Sequence, residues 1–259
     1  MLILLPPSEG KTAPTSGKPL DFARLSYPQL NLLRRKIATA LTKVSRQADA
    51  LEILKVGASV ADVVSNQKQL GQLPCAPARS VYTGVLYSAL DWLDMPSERR
   101  LFAQEHVLIF SGLFGVLRPE DLIPHYRLSM GTALPGIGNT KTVWRKALHD
   151  FKPGAHELVI DCRSANYQVW NPKHDADYVT IQAVRQSGEH RQVISHDAKR
   201  FRGMLGKYLL SSQTTLRTAR ELEEYARVMV TDGIVDDVEL TVDSHNKYKL
   251  TLVQYGGES

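Results

Sequence analysis

Apolar positions along this chain fall into short continuous runs and two kinds of periodicity. Met1–Leu5, Val107–Phe110 and Leu158–Asp161 have the length and continuity of strands buried on both faces. Leu30, Leu33, Ile37, Leu41 and Val44 recur at helical spacing, with Arg34, Arg35, Lys36, Lys43 and Arg46 between them. That pattern predicts one amphipathic helix with a basic outer face. Leu51–Leu70 reads as two short helices broken at Gly57, Val81–Leu93 as a helix with Asp91 and Asp94 near its end, and Ala198–Leu210 and Thr214–Val230 as two further helices. Val179–Val184 and Gln192–Ser195 flank the turn Gln186-Ser187-Gly188-Glu189, which predicts a hairpin. Alternating Val238, Leu240, Val242 and Tyr248, Leu250, Leu252 around Ser244-His245-Asn246-Lys247 predict a closing hairpin. Strands are separated by helices, without repeat, low-complexity tract or linker. The expected fold is therefore one compact α/β (α+β mixed) domain over residues 1–259, with a central mixed β-sheet flanked by helices.

Composition changes this picture little, and charge changes it more. At 43% hydrophobic and 23% charged residues, the chain is of ordinary globular usage, which excludes disorder, collagen and coiled coil. Residues 1–50 hold eight basic and three acidic residues, whereas residues 201–259 hold seven and nine. The excess of cations thus sits at the N-terminal end. It points to a polyanion partner, although a solvated basic surface has the same composition. Cys75 and Cys162 make neither a disulfide framework nor a zinc spacing, and suit a reducing compartment. Met1–Leu5 stops at Pro6-Pro7 without a basic flank, unlike a signal peptide. The longest mostly apolar stretch, Val107–Leu117, falls short of the roughly 20 residues of a membrane span. A cytoplasmic protein with no membrane partner is expected.

The chemistry-bearing residues follow strand ends. The first run leads into Pro6-Pro7-Ser8-Glu9-Gly10-Lys11-Thr12. The second leads into Ser111-Gly112-Leu113-Phe114-Gly115 and then Arg118. The third leads into Cys162-Arg163-Ser164-Ala165-Asn166-Tyr167, and Gln192–Ser195 leads into His196-Asp197-Ala198-Lys199 and Arg202. Ligands of open α/β sheets bind outside the carboxyl ends of strands. If the four ends share one edge, Lys11, Arg118, Arg163, His196, Lys199 and Arg202 form a cationic cleft; otherwise each loop caps its own strand. Gly10-Lys11-Thr12 matches the end of a P-loop, but Leu5 stands where that motif needs its first glycine. Ser111 lacks the glycine two positions earlier that a hydrolase elbow requires. Glu9, Asp91, Asp121 and Asp161 are candidate acid/base carboxylates. The histidines show no metal spacing, and His174 beside Asp175 and Asp177 reads as a surface loop. Two segments loosely fit a helix-hairpin-helix, the glycine-turned grip on a phosphate backbone: Leu51–Ala61 and Leu134–Lys141.

Taken together, these motifs resemble the YaaA family of bacterial peroxide-stress proteins. The resemblance rests on Leu4-Leu5-Pro6-Pro7-Ser8-Glu9-Gly10-Lys11-Thr12, on Tyr82-Thr83-Gly84 with Tyr87 and Leu90-Asp91, and on Ser111-Gly112-Leu113-Phe114-Gly115-Val116-Leu117-Arg118-Pro119-Glu120-Asp121. Pro124-His125-Tyr126-Arg127-Leu128-Ser129-Met130-Gly131 and Ser195-His196-Asp197-Ala198-Lys199 through Arg202-Gly203 continue it, in the family's order, over about residues 1–210. Asn166 departs from the glutamate of many members, which puts an acid/base role there in doubt. The resemblance implies a cytoplasmic DNA-binding protein that limits iron-driven peroxide damage. It also implies a positively charged cleft and a helix-hairpin-helix-like element at about residues 48–70.

Two functions follow as expectations. In the first, the protein binds DNA phosphates without sequence preference, through Lys55, Gly57 and Ser59 of the hairpin and through Ser8, Lys11, Ser111, Arg118, Tyr126, Arg127, Arg163, Ser164, His196, Lys199 and Arg202 of the cleft. Lys141 and Arg145 add phosphate contacts after the second glycine-rich turn. In the second, it is an enzyme acting on a nucleotide or damaged nucleic acid, with Glu9, Lys11, Asp91 and His196 as catalytic candidates and Tyr82, Tyr87 and Tyr126 available to stack a base. No metal, cofactor or obligate protein partner is implied, and direct iron binding has no ligand cluster to support it.

Overall fold

The structure is a computed structural model that describes residues 1–93, 95–172 and 175–256, with Ser195 and His196 described in backbone only. Asp94 and His174 therefore lie outside the described residues, as does the side chain of His196. In chain order the elements are β1 (Leu2–Leu5), α1 (Asn31–Val44), α2 (Ala50–Leu54), α3 (Ala61–Asn66), β2 (Cys75–Pro77), α4 (Ala78–Val81), α5 (Val85–Leu90), α6 (Ser97–His106), β3 (Val107–Ser111), β4 (Gly115–Leu117) and β5 (Leu122–Pro124). They continue as β6 (Ala133–Leu134), β7 (Gly138–Asn139), α7 (Thr140–Ala147), β8 (Leu158–Asp161), β9 (Asp177–Ser187), β10 (His190–Val193), α8 (Ser195–Ser212), α9 (Ala219–Ala226), α10 (Val228–Thr231), β11 (Asp237–Ser244) and β12 (Lys247–Tyr255).

The main sheet has eight strands in the order β11-β12-β9-β8-β1-β3-β4, with β10 added to β9. β12, β9, β8, β1 and β3 run parallel, while β11, β10 and β4 are antiparallel to their neighbours. The sheet is mixed and flanked by helices, and the chain forms a single domain, as its pattern predicts. Every residue of β1, β3 and β8 is buried, because both faces are covered. This is why these strands read as unbroken apolar runs. α5 and α8 pack against each other so closely that a Cβ at Gly203 would sit 2.2 Å from the Leu86 carbonyl oxygen.

Several expected elements are corrected. The helix expected over 81–93 is interrupted: α4 ends at Val81, Tyr82 forms an isolated bridge with Lys11, and α5 starts only after Gly84 at φ +101°. The helix expected over 214–230 starts at Ala219, where the Thr218 hydroxyl accepts from the Glu221 amide, and divides into α9 and α10. The strand expected to reach Ser195 ends at Val193.

The outer face of α1 is less basic than expected, since Arg34 is fully buried. Its guanidinium donates to the carbonyls of Phe114, Val116 and Ser26, tying α1 to β4 and to the loop before it.

Two short helices do flank the 55–57 turn, but it is Lys55, at φ 54°, that adopts the left-handed conformation ending α2. Gly57 has an ordinary φ of −76°, and a Cβ there would make only an ordinary contact with the Ser59 hydroxyl. Residues 134–141, the other hairpin candidate, form the β6–β7 ribbon and the start of α7, whose first amides are capped by Asn139. A helix-hairpin-helix is not confirmed at either place.

Candidate functional site

The chain passes from β1 to β3 on one side of the sheet, and later to β8 on the other side of β1. The three strands are parallel, so the loops that follow them leave from one edge. A reversal of strand order of this kind opens a crevice at the carboxyl ends, where ligands of α/β sheets bind. The loop after β1 carries Ser8, Glu9 and Lys11 into it. Ser111 closes β3, the segment after β5 brings Tyr126 and Arg127, with His125 turned to a neighbouring pocket, and the turn after β8 brings Tyr167.

Lys11 lies at the centre. Its ammonium donates to the Ser8 carbonyl oxygen at 2.6 Å and rests 4.8 Å from the ring centre of Tyr126 and 5.6 Å from that of Tyr82. Behind it the two tyrosine hydroxyls are 2.7 Å apart, and that of Tyr126 is 2.7 Å from the Ser111 hydroxyl. Ser111 Oγ in turn accepts from the amides of Leu113 and Phe114. Tyr87 donates to the Pro6 carbonyl and so holds the β1 loop from below. Arg127 donates through Nη1 to the Glu9 carbonyl (3.0 Å) and through Nη2 to its carboxylate (3.2 Å), and its backbone amide donates to Gln67 Oε1. Among the described residues the buried Nε of Arg127 has no acceptor, and neither has Nη1 of the buried Arg163. Ser129, Leu128 and Tyr167 complete the lining of a cavity of about 10 Å³.

The electrostatics follow from this enclosure. Burial lowers the Lys11 pKa from its ordinary 10.5 to about 7; the Arg127 charge lowers it further and Glu9 opposes. Burial also lowers His125, helped by Lys11 and Arg127, and raises Tyr82, Tyr87, Tyr126 and Tyr167. The tyrosines remain neutral hydrogen-bonding groups, whereas the amine changes charge near neutrality.

Of the residues expected in a cleft, Ser8, Glu9, Lys11, Ser111, Tyr126 and Arg127 come together. Arg118 does not, because its guanidinium binds the carbonyls of Glu105 and Val107, at the start of β3, and covers the Tyr27 ring. Arg163 is buried and spent on Asp161 and the Trp170 carbonyl, lying over the Phe110 ring. Arg202 binds the Ile181 carbonyl through two nitrogens. Lys199 is exposed on α8, and Asp91 caps α5 and pairs with Lys207.

Ser164 opens the exposed 3-10 turn that holds Asn166, where Lys141 reaches the Ala165 carbonyl. Lys55, Gly57 and Ser59 are exposed on the α2–α3 turn, a separate place. Tyr167, Ser129 and Gln67 were not singled out as site residues in the sequence; Tyr167 was legible only as the end of the loop after β8. Among the described residues, no group of three or more His, Cys, Asp or Glu could hold a metal ion, and no helix is long and apolar enough to cross a membrane.

Fold and site together define a mixed α/β protein with a small polar cavity, lined by Glu9, Lys11 and Arg127, at the switch point of its sheet. The family model described as "Peroxide stress protein YaaA" matches residues 1–228. A UPF0246 protein of Corynebacterium efficiens is 40% identical over 259 residues, covering 98% of this chain and 100% of that one. UPF0246 proteins of Corynebacterium glutamicum strain R (37% over 257 residues, 98% and 100% covered) and Streptomyces coelicolor (36% over 232 residues, 88% and 89% covered) are similar. The chain belongs to the YaaA family of peroxide stress proteins.

Proposed function

We propose that this protein serves the peroxide stress response by binding nucleic acid through its phosphates, sequence-independently, and so limits iron-driven peroxide damage to DNA. One observation carries the reading: Lys11 and Arg127 line one small cavity at the carboxyl edge of the sheet. Two cationic side chains at one cavity favour an anionic oxygen there through charge-assisted hydrogen bonds. The exposed Lys55–Ser59 turn offers further phosphate contacts at its separate place on the surface. Phosphate contacts make affinity fall linearly with the logarithm of salt. Fluorescence anisotropy of a labelled plain duplex, at several salt concentrations, tests this. Affinity should fall steeply with salt, and Arg127→Gln should weaken binding about tenfold. Binding that is flat in salt, or equal in the variant, overturns the reading. The runner-up, an enzyme acting on a nucleotide or damaged nucleic acid, is favoured by the near-neutral amine held between two tyrosine rings.

A further inference from the structure

We propose that Lys11 is a nucleophilic amine that captures the aldehyde of a phosphorylated sugar as an imine, with Arg127 receiving the phosphate. The aldehyde belongs either to a free sugar phosphate or to a base-free position in DNA. The inference rests on the phosphate-binding reading above and adds a covalent step to it.

Geometry selects this substrate class. The cavity at the amine is small, about 10 Å³, with room for one group of carbonyl or water size. A small terminal group on a larger body suits this space, and an aldehyde is such a group. Arg127, oriented by Glu9, lines the same cavity and sets its positive charge beside the place of the body's anionic oxygen. The Ser8 carbonyl holds the amine, and the Tyr126 and Tyr82 rings wall off two sides. The charged and titratable groups around Nζ are Glu9 from its own loop, Tyr82 from the bend before α5, His125, Tyr126 and Arg127 from the segment after β5, and Tyr167 from the turn after β8. With a pKa of about 7, half of the amine is unprotonated at neutral pH.

The step balances without an added redox partner. The Nζ lone pair attacks the aldehyde carbon, the C=O π pair moves to oxygen, and one amine proton passes to that oxygen through solvent or the Glu9 carboxylate. The carbinolamine then loses its second N–H proton and its hydroxyl as water, leaving C=N. Hydrolysis reverses both stages.

Reductive trapping tests the proposal. Full-length protein is incubated with cyanoborohydride and, in separate arms, with deoxyribose 5-phosphate, with a duplex carrying one base-free deoxyribose, or with a duplex carrying a tetrahydrofuran in its place. The tetrahydrofuran duplex keeps the phosphates and lacks the aldehyde. Peptide mass spectrometry should place the reduced adduct on Lys11 with one or both aldehyde arms, which identifies the source, and none with tetrahydrofuran. The trapping rate should rise about tenfold from pH 6 to 8 and then level off, whereas an ordinary lysine gains about a hundredfold over that range and continues to rise. An adduct spread over surface lysines and undiminished in Lys11→Arg overturns the proposal. So does wild-type protein that binds the tetrahydrofuran duplex by anisotropy but traps neither aldehyde, a result that leaves phosphate binding standing. Absence of both binding and trapping removes both readings.

Discussion

Lys11 makes the protein less stable than a neutral side chain would, and the size of that cost depends on pH. Holding the ammonium at a pKa of about 7, against 10.5 in the unfolded chain, penalises the charged folded form by about 5 kcal/mol. The unfolded chain binds the extra proton between those two values, so stability rises with pH across that window. The penalty is nearly complete at and below pH 7, falls to about 2 kcal/mol at pH 9, and vanishes above 10.5. Lys11→Met keeps most of the stem against Tyr126 and Tyr82 and removes the charge. It also loses the hydrogen bond to the Ser8 carbonyl, a cost of about 1 kcal/mol. Urea unfolding should therefore find the variant about 3 kcal/mol more stable at pH 7, an advantage that shrinks by about 2 kcal/mol at pH 9. A gain in stability on removing a site residue is expected where function is bought with strain. A difference that stays flat from pH 6 to 9, or a variant less stable at every pH, refutes the reasoning.

Arg34→Met leaves the carbonyls of Phe114, Val116 and Ser26 without their donor and should cost at least about 3 kcal/mol in the same unfolding assay. Burial pushes the Cys75 thiol up to about 11 and that of Cys162 to about 12, so neither is a ready thiolate. In the folded protein both should resist a disulfide reagent and hydrogen peroxide, and sulfenate labelling should appear only after unfolding. Lys55→Gly relieves a left-handed C-cap and should leave stability unchanged or raise it by up to about 1 kcal/mol, as thermal unfolding will show.

Much of the sheet was legible because its central strands are covered on both faces and therefore apolar throughout. The broken helix over 81–93 was not, since its apolar spacing runs on through Tyr82. What stops it is a backbone bridge to Lys11, more than seventy positions away in the chain. Arg34 was misplaced for a similar reason. A basic residue between apolar helix positions reads as exposed, and the carbonyls that satisfy it belong to residues 114 and 116.

The loops that carry the site were legible as polar sequence after buried strands. Which of their cations stay available was not. Arg118, Arg163 and Arg202 are taken up by carbonyls and a carboxylate that only the fold brings near, and so stay out of the cavity that Lys11 and Arg127 line.

The central claim is that Lys11 and Arg127 form the place where a phosphate is held. The most direct measurement is NMR of protein labelled with 13C at lysine Cε, titrated in pH with and without a short plain duplex. Lys11 should titrate near 7 alone and markedly higher with the duplex, because a neighbouring phosphate favours its charged form. A Lys11 resonance that ignores the duplex while those of Lys55 and Lys199 move would contradict the account.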